Sequence, residues 1–146
     1  MDISTPFAKD IAADLVSAPD LLRIAPRYGA SVLFSEALTY LSYECHARSV
    51  VAGWWDKPRN AGECIALMHS ELSEALEGVR KGAQDEHLPG FTSEEVELAD
   101  SLIRHFDYAG ARQLRLGEAF VAKLLYNANR ADHKPEARAA TGGKKF

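Results

Sequence analysis

Cysteine is scarce in this chain of 146 residues: there are two, Cys45 and Cys64, with no C-x-x-C spacing between them. That leaves too few thiolates for a structural zinc or a disulfide framework, so reduced thiols in a cytoplasmic protein are the expectation. Long apolar runs are missing as well. No stretch approaches the roughly 20 residues that span a bilayer. The opening "MDISTPFAKD" has an acid at its second position and no basic segment leading into an apolar one, so it does not read as a secretory leader. Positive charge is not in excess: 17 Lys and Arg against 21 Asp and Glu give a formal charge of −4. A protein that coats a nucleic-acid polymer normally shows a basic face, and that class is set aside. A small anionic ligand stays open, because a bound cation reverses the local sign. Strict apolar–polar alternation is absent, which argues against half-buried strands. No repeat of solenoid length is present either.

What is there is helical. Hydrophobic residues make up 47% of the chain, enough for a core in one domain. Residues 1–30 read as a peripheral extension, with a short helix in "FAKDIAADLVSA" before Pro19 and Pro26 interrupt. From Ala30, "SVLFSEALTYLSYECHARSVVA" has neither Gly nor Pro and runs to Gly53. The connector "GWWDKPRN" follows. Asn60 and Glu63 have the N-cap and N3 spacing of a capping box, opening a helix that stops near Gly82. The polar loop "KGAQDEHLPGF" leads to a second capping box, Thr92 with Glu95, and to "EEVELADSLIRHFDYAGA". After Gly110, "GEAFVAKLLYNANRA" makes a further helix, and residues 134–146 read as a flexible tail. The expected fold is all-α, with four main helices over residues 31–133.

The helix "ALMHSELSEALEGVR" poses a chemical question. At about 100° per residue, Ile65, Met68, Leu72, Ala75, Leu76 and Val79 share one face. Glu71 lies at the edge of that face, Glu74 about 60° further round and Glu77 about 60° beyond. An isolated E-x-x-E is usually a solvated helix surface. The next helix repeats the theme: Asp100 borders the apolar residues Val96, Ala99, Leu102, Ile103 and Phe106, with Glu97 three residues earlier and Arg104 four later. If the two helices pack antiparallel, Glu71, Glu74, Glu97 and Asp100 converge. Two unit charges about 4 Å apart interact by roughly 4 kcal/mol at an effective dielectric of 20. Partly buried acids in such a group need protons or a cation. Oxygen ligands without His or Cys favour Mg²⁺, with Mn²⁺ as a substitute, over zinc.

On the last helix Lys123, Tyr126, Asn127 and Arg130 fall at i, i+3, i+4 and i+7, opposite Phe120, Val121, Leu124, Leu125 and Ala128. The ordinary reading is a solvated face. The same groups also suit a phosphate chain attached to a polar organic group. Trp54 and Trp55 offer flat faces to a base, and Trp55, nearer Asp56 and the capped helix, is the one expected to face a ligand. No histidine completes an E-x-x-H: the third residue before each of the five is Tyr43, Ala66, Gln84, Leu102 or Arg130. A ferritin-like di-iron bundle is thereby removed.

"ELSE" (Glu71 to Glu74) and, 22 residues further on, "ELAD" (Glu97 to Asp100) resemble the E-x-x-E…E-x-x-D signature of the MazG-like all-α nucleoside triphosphate pyrophosphohydrolases. "KPRN" (Lys57 to Asn60) is similar to the connector of many members, and "KLLYNANR" (Lys123 to Arg130) to their K-x-x-x-N-x-x-R helix. The likeness covers about residues 44–133. It implies an antiparallel four-helix core that assembles as a homodimer or homotetramer, with sites near subunit contacts. It implies Mg²⁺-dependent cleavage of a nucleoside triphosphate to the monophosphate and pyrophosphate. Glu71, Glu74, Glu97 and Asp100 would be the metal ligands, with Glu71 or Glu74 also taking the water's proton. Lys123 and Arg130 would hold phosphates, Asn127 the sugar or base with Tyr126 beside it, and Trp55 and Asn60 would complete the substrate side. Two alternatives stand next to it: a non-catalytic helical interaction module, and the same fold acting on phosphoribosyl-ATP.

Overall fold

Caps decide where these helices begin and end. The computed structural model describes residues 30–131 and 134–139, and among them there are helices but no strand. Helix α1 is Ala30–Val51, α2 Ala61–Lys81, α3 Ser93–Ala111, α4 Leu116–Asn129 and α5 the short Pro135–Ala139. The extension expected before Ala30 and most of the expected tail lie outside the described residues. Asn60 is in extended backbone, and its Oδ1 accepts from the amides of Gly62 at 2.7 Å and Glu63 at 3.4 Å. Glu63, placed to return that bond, leans instead toward Arg59 at 3.8 Å. Thr92 builds the full reciprocal box: its Oγ1 accepts from the Glu95 amide at 3.2 Å, and Glu95 Oε2 accepts from the Thr92 amide at 2.8 Å. Each such cap contributes about 1 kcal/mol. None of the described helices is long and apolar enough to cross a membrane.

Helix α3 is the centre of the fold. Both α1 and α2 pack along it, and α4 rests on α1; no other pair of described helices packs extensively. The directions follow from which residues meet. On α2, Gly78 faces Ser93 at the start of α3, and Glu71, two turns earlier on α2, reaches Arg104, about three turns further along α3. On α1, Ser42 lies against Gly110 and His46 against Asp107. Both neighbours therefore run antiparallel to α3.

Close approach is bought with small side chains. As the sequence pattern predicts, α3 continues to Ala111, so that Gly110 lies within the helix. Its function is spatial: a Cβ there would press on the Ser42 carbonyl oxygen and come within 2.6 Å of His46 Cβ. Gly117 does the same for α4, where a Cβ would strike the Ser35 carbonyl and lie 3.0 Å from Thr39 Oγ1.

The apolar stripe expected on α2 is divided. The side turned to α3 is Cys64, Met68, Glu71, Ala75 and Gly78, all buried. Ile65, Leu72, Leu76 and Val79 stay exposed, Leu76 at 51%. The same holds on α4, where Gly117 is buried while Phe120, Leu124 and Leu125 are open. A helix that is apolar on two sides satisfies only one of them within this chain.

Gly110→Ala should overpack the α1–α3 contact and lower stability by about 1–3 kcal/mol. Gly90→Ala is the control, because nothing lies within 4 Å of a Cβ at Gly90. Thermal melts of the two variants should differ by several degrees; equal melting temperatures would remove this account of Gly110.

Candidate metal centre and anion cleft

Helix α2 carries Glu71 on its inner side, between Met68 and Ala75, so the carboxylate is only 4% exposed. Helix α3 brings Glu97 and Asp100 to meet it, since residues three apart share a helix face. One oxygen from each of Glu71, Glu97 and Asp100 lies within 4.8 Å of the others. Arg104, one turn beyond Asp100, donates from Nε to Glu71 Oε1. Burial raises the Glu97 carboxyl above its ordinary range, helped by repulsion from Glu74, Glu71 and Asp100 and by its hydrogen bond to Glu71. Burial also raises Asp100, with repulsion from Glu71 added and Arg104 opposing. Crowded carboxyls that hold protons too tightly are what a divalent cation relieves.

Glu74 is exposed and falls outside the three close oxygens, although its charge reaches Glu97. The reason is angular: it sits about 60° round the helix from Glu71. Three of the four expected acids thus meet, and the fourth stands on the rim.

Next to the acids is a cleft of about 180 Å³, lined by Trp54, Arg59, Asp100, Ile103, Arg104 and Asp107, among others. The two tryptophans line different clefts, Trp55 facing one shared with Lys57, Pro58 and Arg59. Trp54 is 63% exposed and lines the cleft beside the acids. Trp55 is half-buried, and its Nε1 donates to Asp107 Oδ1 at 2.8 Å. The same oxygen lies 2.8 Å from His46 Nδ1, and the His46 ring meets Trp55 edge-on at 5.2 Å. A buried Asp107 tied to two partners fixes the connector that carries both indoles. Arg59 lies across them, its guanidinium 5.5 Å from the Trp55 ring and 6.0 Å from that of Trp54.

Asn60 is occupied as the α2 cap. On α4, Lys123 Nζ sits 4.7 Å from the Tyr126 ring and the Arg130 guanidinium 5.7 Å from it. Asn127 Oδ1 is buried with no hydrogen-bond partner among the described residues. An open hollow of about 590 Å³ beside Tyr126 and Arg130 contains none of the acids. Because α4 rests on α1 while the acids lie between α2 and α3, one chain does not bring the two sets together.

Arg59 and Asp107 were not singled out by the sequence. A signal existed for Asp107: Glu97, Asp100, Arg104 and Asp107 follow i, i+3, i+7, i+10, a continuous polar stripe on α3. Comparison with protein-family models, with curated proteins and with solved structures finds no match for the chain.

A carboxyl whose proton is held more tightly in the folded state contributes stability at acid pH, and that contribution is lost as pH rises from its ordinary value of 4.5 through the raised one. Glu97→Gln removes this loss. With chelator present, the variant should match the wild type in acid and melt higher at neutral pH. A difference that does not change with pH would contradict the burial of Glu97's charge.

Proposed function

We propose that this chain is a Mg²⁺-dependent nucleoside triphosphate pyrophosphohydrolase of the MazG-like kind that its motifs resemble. The observation that carries the reading is the buried Glu71 meeting Glu97 and Asp100 beside a cleft that offers an exposed indole and two guanidinium groups. The donor set fits a hard cation, being carboxylate oxygen alone, without His or Cys. Glu71, Glu97 and Asp100 would hold the ion, with Mn²⁺ able to replace Mg²⁺. When bound, it would supply charge neutralisation of phosphate oxygens and acidification of water.

The chain's own groups do the rest. Glu74 is exposed on the rim, free of the Arg104 pair that occupies Glu71, and it takes the proton of the attacking water. Trp54 gives the base a flat face. Nucleotide-pool cleansing in the cytoplasm is the physiological reading that follows.

The chain acts as a homo-oligomer in this reading. The open row Ile65, Leu72, Leu76 and Val79 on α2 repeats at i, i+7, i+11 and i+14, a seam suited to a second copy. A neighbouring copy is also the source from which Lys123, Tyr126, Asn127 and Arg130 can reach the acids.

Three experiments test these statements. With Mg²⁺ and a panel of deoxynucleoside triphosphates, the wild type should release pyrophosphate, and Glu74→Gln should be slower by on the order of 10²–10⁴-fold. Mg²⁺ should also raise the melting temperature of the wild type and not of Glu71→Gln. A wild type that is inert to the panel and unmoved by the ion would overturn the assignment. For assembly, light scattering should find an oligomer that Leu72→Glu with Leu76→Glu converts to monomer; a monomeric wild type at micromolar concentration would refute it.

A further inference from the structure

Arg104 faces both the buried Glu71 and the cleft. Its Nε donates to Glu71, whose side chain is 5% exposed, while the Arg104 side chain is itself 37% exposed and borders the cleft. A guanidinium has five N–H donors in a fixed fork, and the bond to Glu71 uses one edge of it. Arg59 forms part of the same cleft. Its side chain is only 14% exposed, and among the described residues its partners are the two indole faces and Glu63 at 3.8 Å, beyond hydrogen-bonding distance. The long contact to Glu63 leaves most of the guanidinium's N–H fork available to an anion in the cleft. The cleft's own acids do not meet that fork: Asp107 Oδ1 already serves Trp55 and His46, and Asp100 belongs to the acidic group.

We propose that Arg104 is a substrate-binding residue that serves two anions in turn: Glu71 while the acids are empty, and a phosphate of the ligand, beside Arg59, once a divalent cation holds Glu71. The inference rests on the nucleotide reading above. A cation among Glu71, Glu97 and Asp100 competes with the guanidinium for the same carboxylate. Displaced, Arg104 presents its fork to a cleft already lined by Arg59, and two guanidinium groups can grip a phosphate with paired N–H bonds. Ion and phosphate then help each other bind, because both favour the outward position of Arg104. The ligand class is a phosphate chain that follows the ion, joined to a flat ring over Trp54.

Calorimetry with Mn²⁺ alone and then with the Mn²⁺–tripolyphosphate complex tests the exchange. Arg104→Gln should bind Mn²⁺ alone more tightly, because the internal competitor is gone. It should bind the complex at least about tenfold more weakly, the loss expected for one charge-assisted bond. A residue that only supports the fold would weaken both. Arg59→Gln is the second variant: the complex should weaken by a similar factor while Mn²⁺ alone is unchanged, since Arg59 does not touch Glu71. If the wild type binds neither probe, the metal–nucleotide reading falls, and this inference with it. If the wild type binds both and Arg104→Gln leaves Mn²⁺ affinity unchanged or reduced, the exchange alone is overturned. Should Arg104→Gln fail to fold, an Arg59→Gln protein that keeps wild-type affinity for the complex overturns the phosphate grip.

Discussion

A carboxylate placed almost wholly out of water between two helices needs a positive partner, and in this chain Glu71 has Arg104. Leaving such a charge unpaired costs several kcal/mol, and removing one member of a buried pair typically costs about 3–5 kcal/mol. The pair spans 33 residues and joins α2 to α3. It therefore ties their register, since a slide of one turn would part the two groups. Glu97 and Asp100 come to Glu71 only in that register. The cleft exists for the same reason, because its border at Arg104 is the outer side of the same guanidinium.

The helices approach one another through small residues. Gly78, Gly110 and Gly117 sit where α3 or α1 passes, and Ser42, Ser101 and Ala109 are buried among them. The buried hydrophobic residues are few: Cys64, Met68, Ala75 and Ala109. Backbones that come this close leave little volume for large side chains, so Leu and Phe are turned outward on α2 and α4. Stability and assembly are then linked in the proposed oligomer, because the apolar area that a single chain leaves wet is the area a second copy would cover.

Local pattern was enough for the helices and their caps. Thr92 with Glu95 and Asn60 ahead of α2 are visible as short motifs, and they form as spaced, apart from the return bond of Glu63. The choice of inner face on α2 was not visible, because apolar residues occur on two sides and periodicity does not rank them. Glu71 illustrates this: read as a border residue, it is inside, while Leu72 and Leu76 are outside. The spatial role of Gly110 was not visible, because it depends on a helix 64 to 68 residues earlier. The Asp107 network was illegible for the same reason, with partners 61 and 52 residues away. In the acidic group, spacing correctly paired Glu97 with Asp100, but three-residue spacing on α2 could not say which of Glu71 and Glu74 would turn inward.

Acids beside a buried face are tolerable because the chain carries its own counter-charge, and that solution has a consequence for the proposed chemistry. With Arg104 on Glu71, that buried carboxylate is paired without an ion and the helix pair can form first. An incoming cation then meets a competitor, so its apparent affinity is lowered by the fraction of molecules in which Glu71 is free. A phosphate chain changes that balance. It gives Arg104 another acceptor and brings its own oxygens to the ion, which Mg²⁺ in particular requires because few carboxylates satisfy it alone. In the proposed reading such a site would discriminate against either component arriving singly, and the cation set on α4 of a neighbouring copy would meet the far end of the anion.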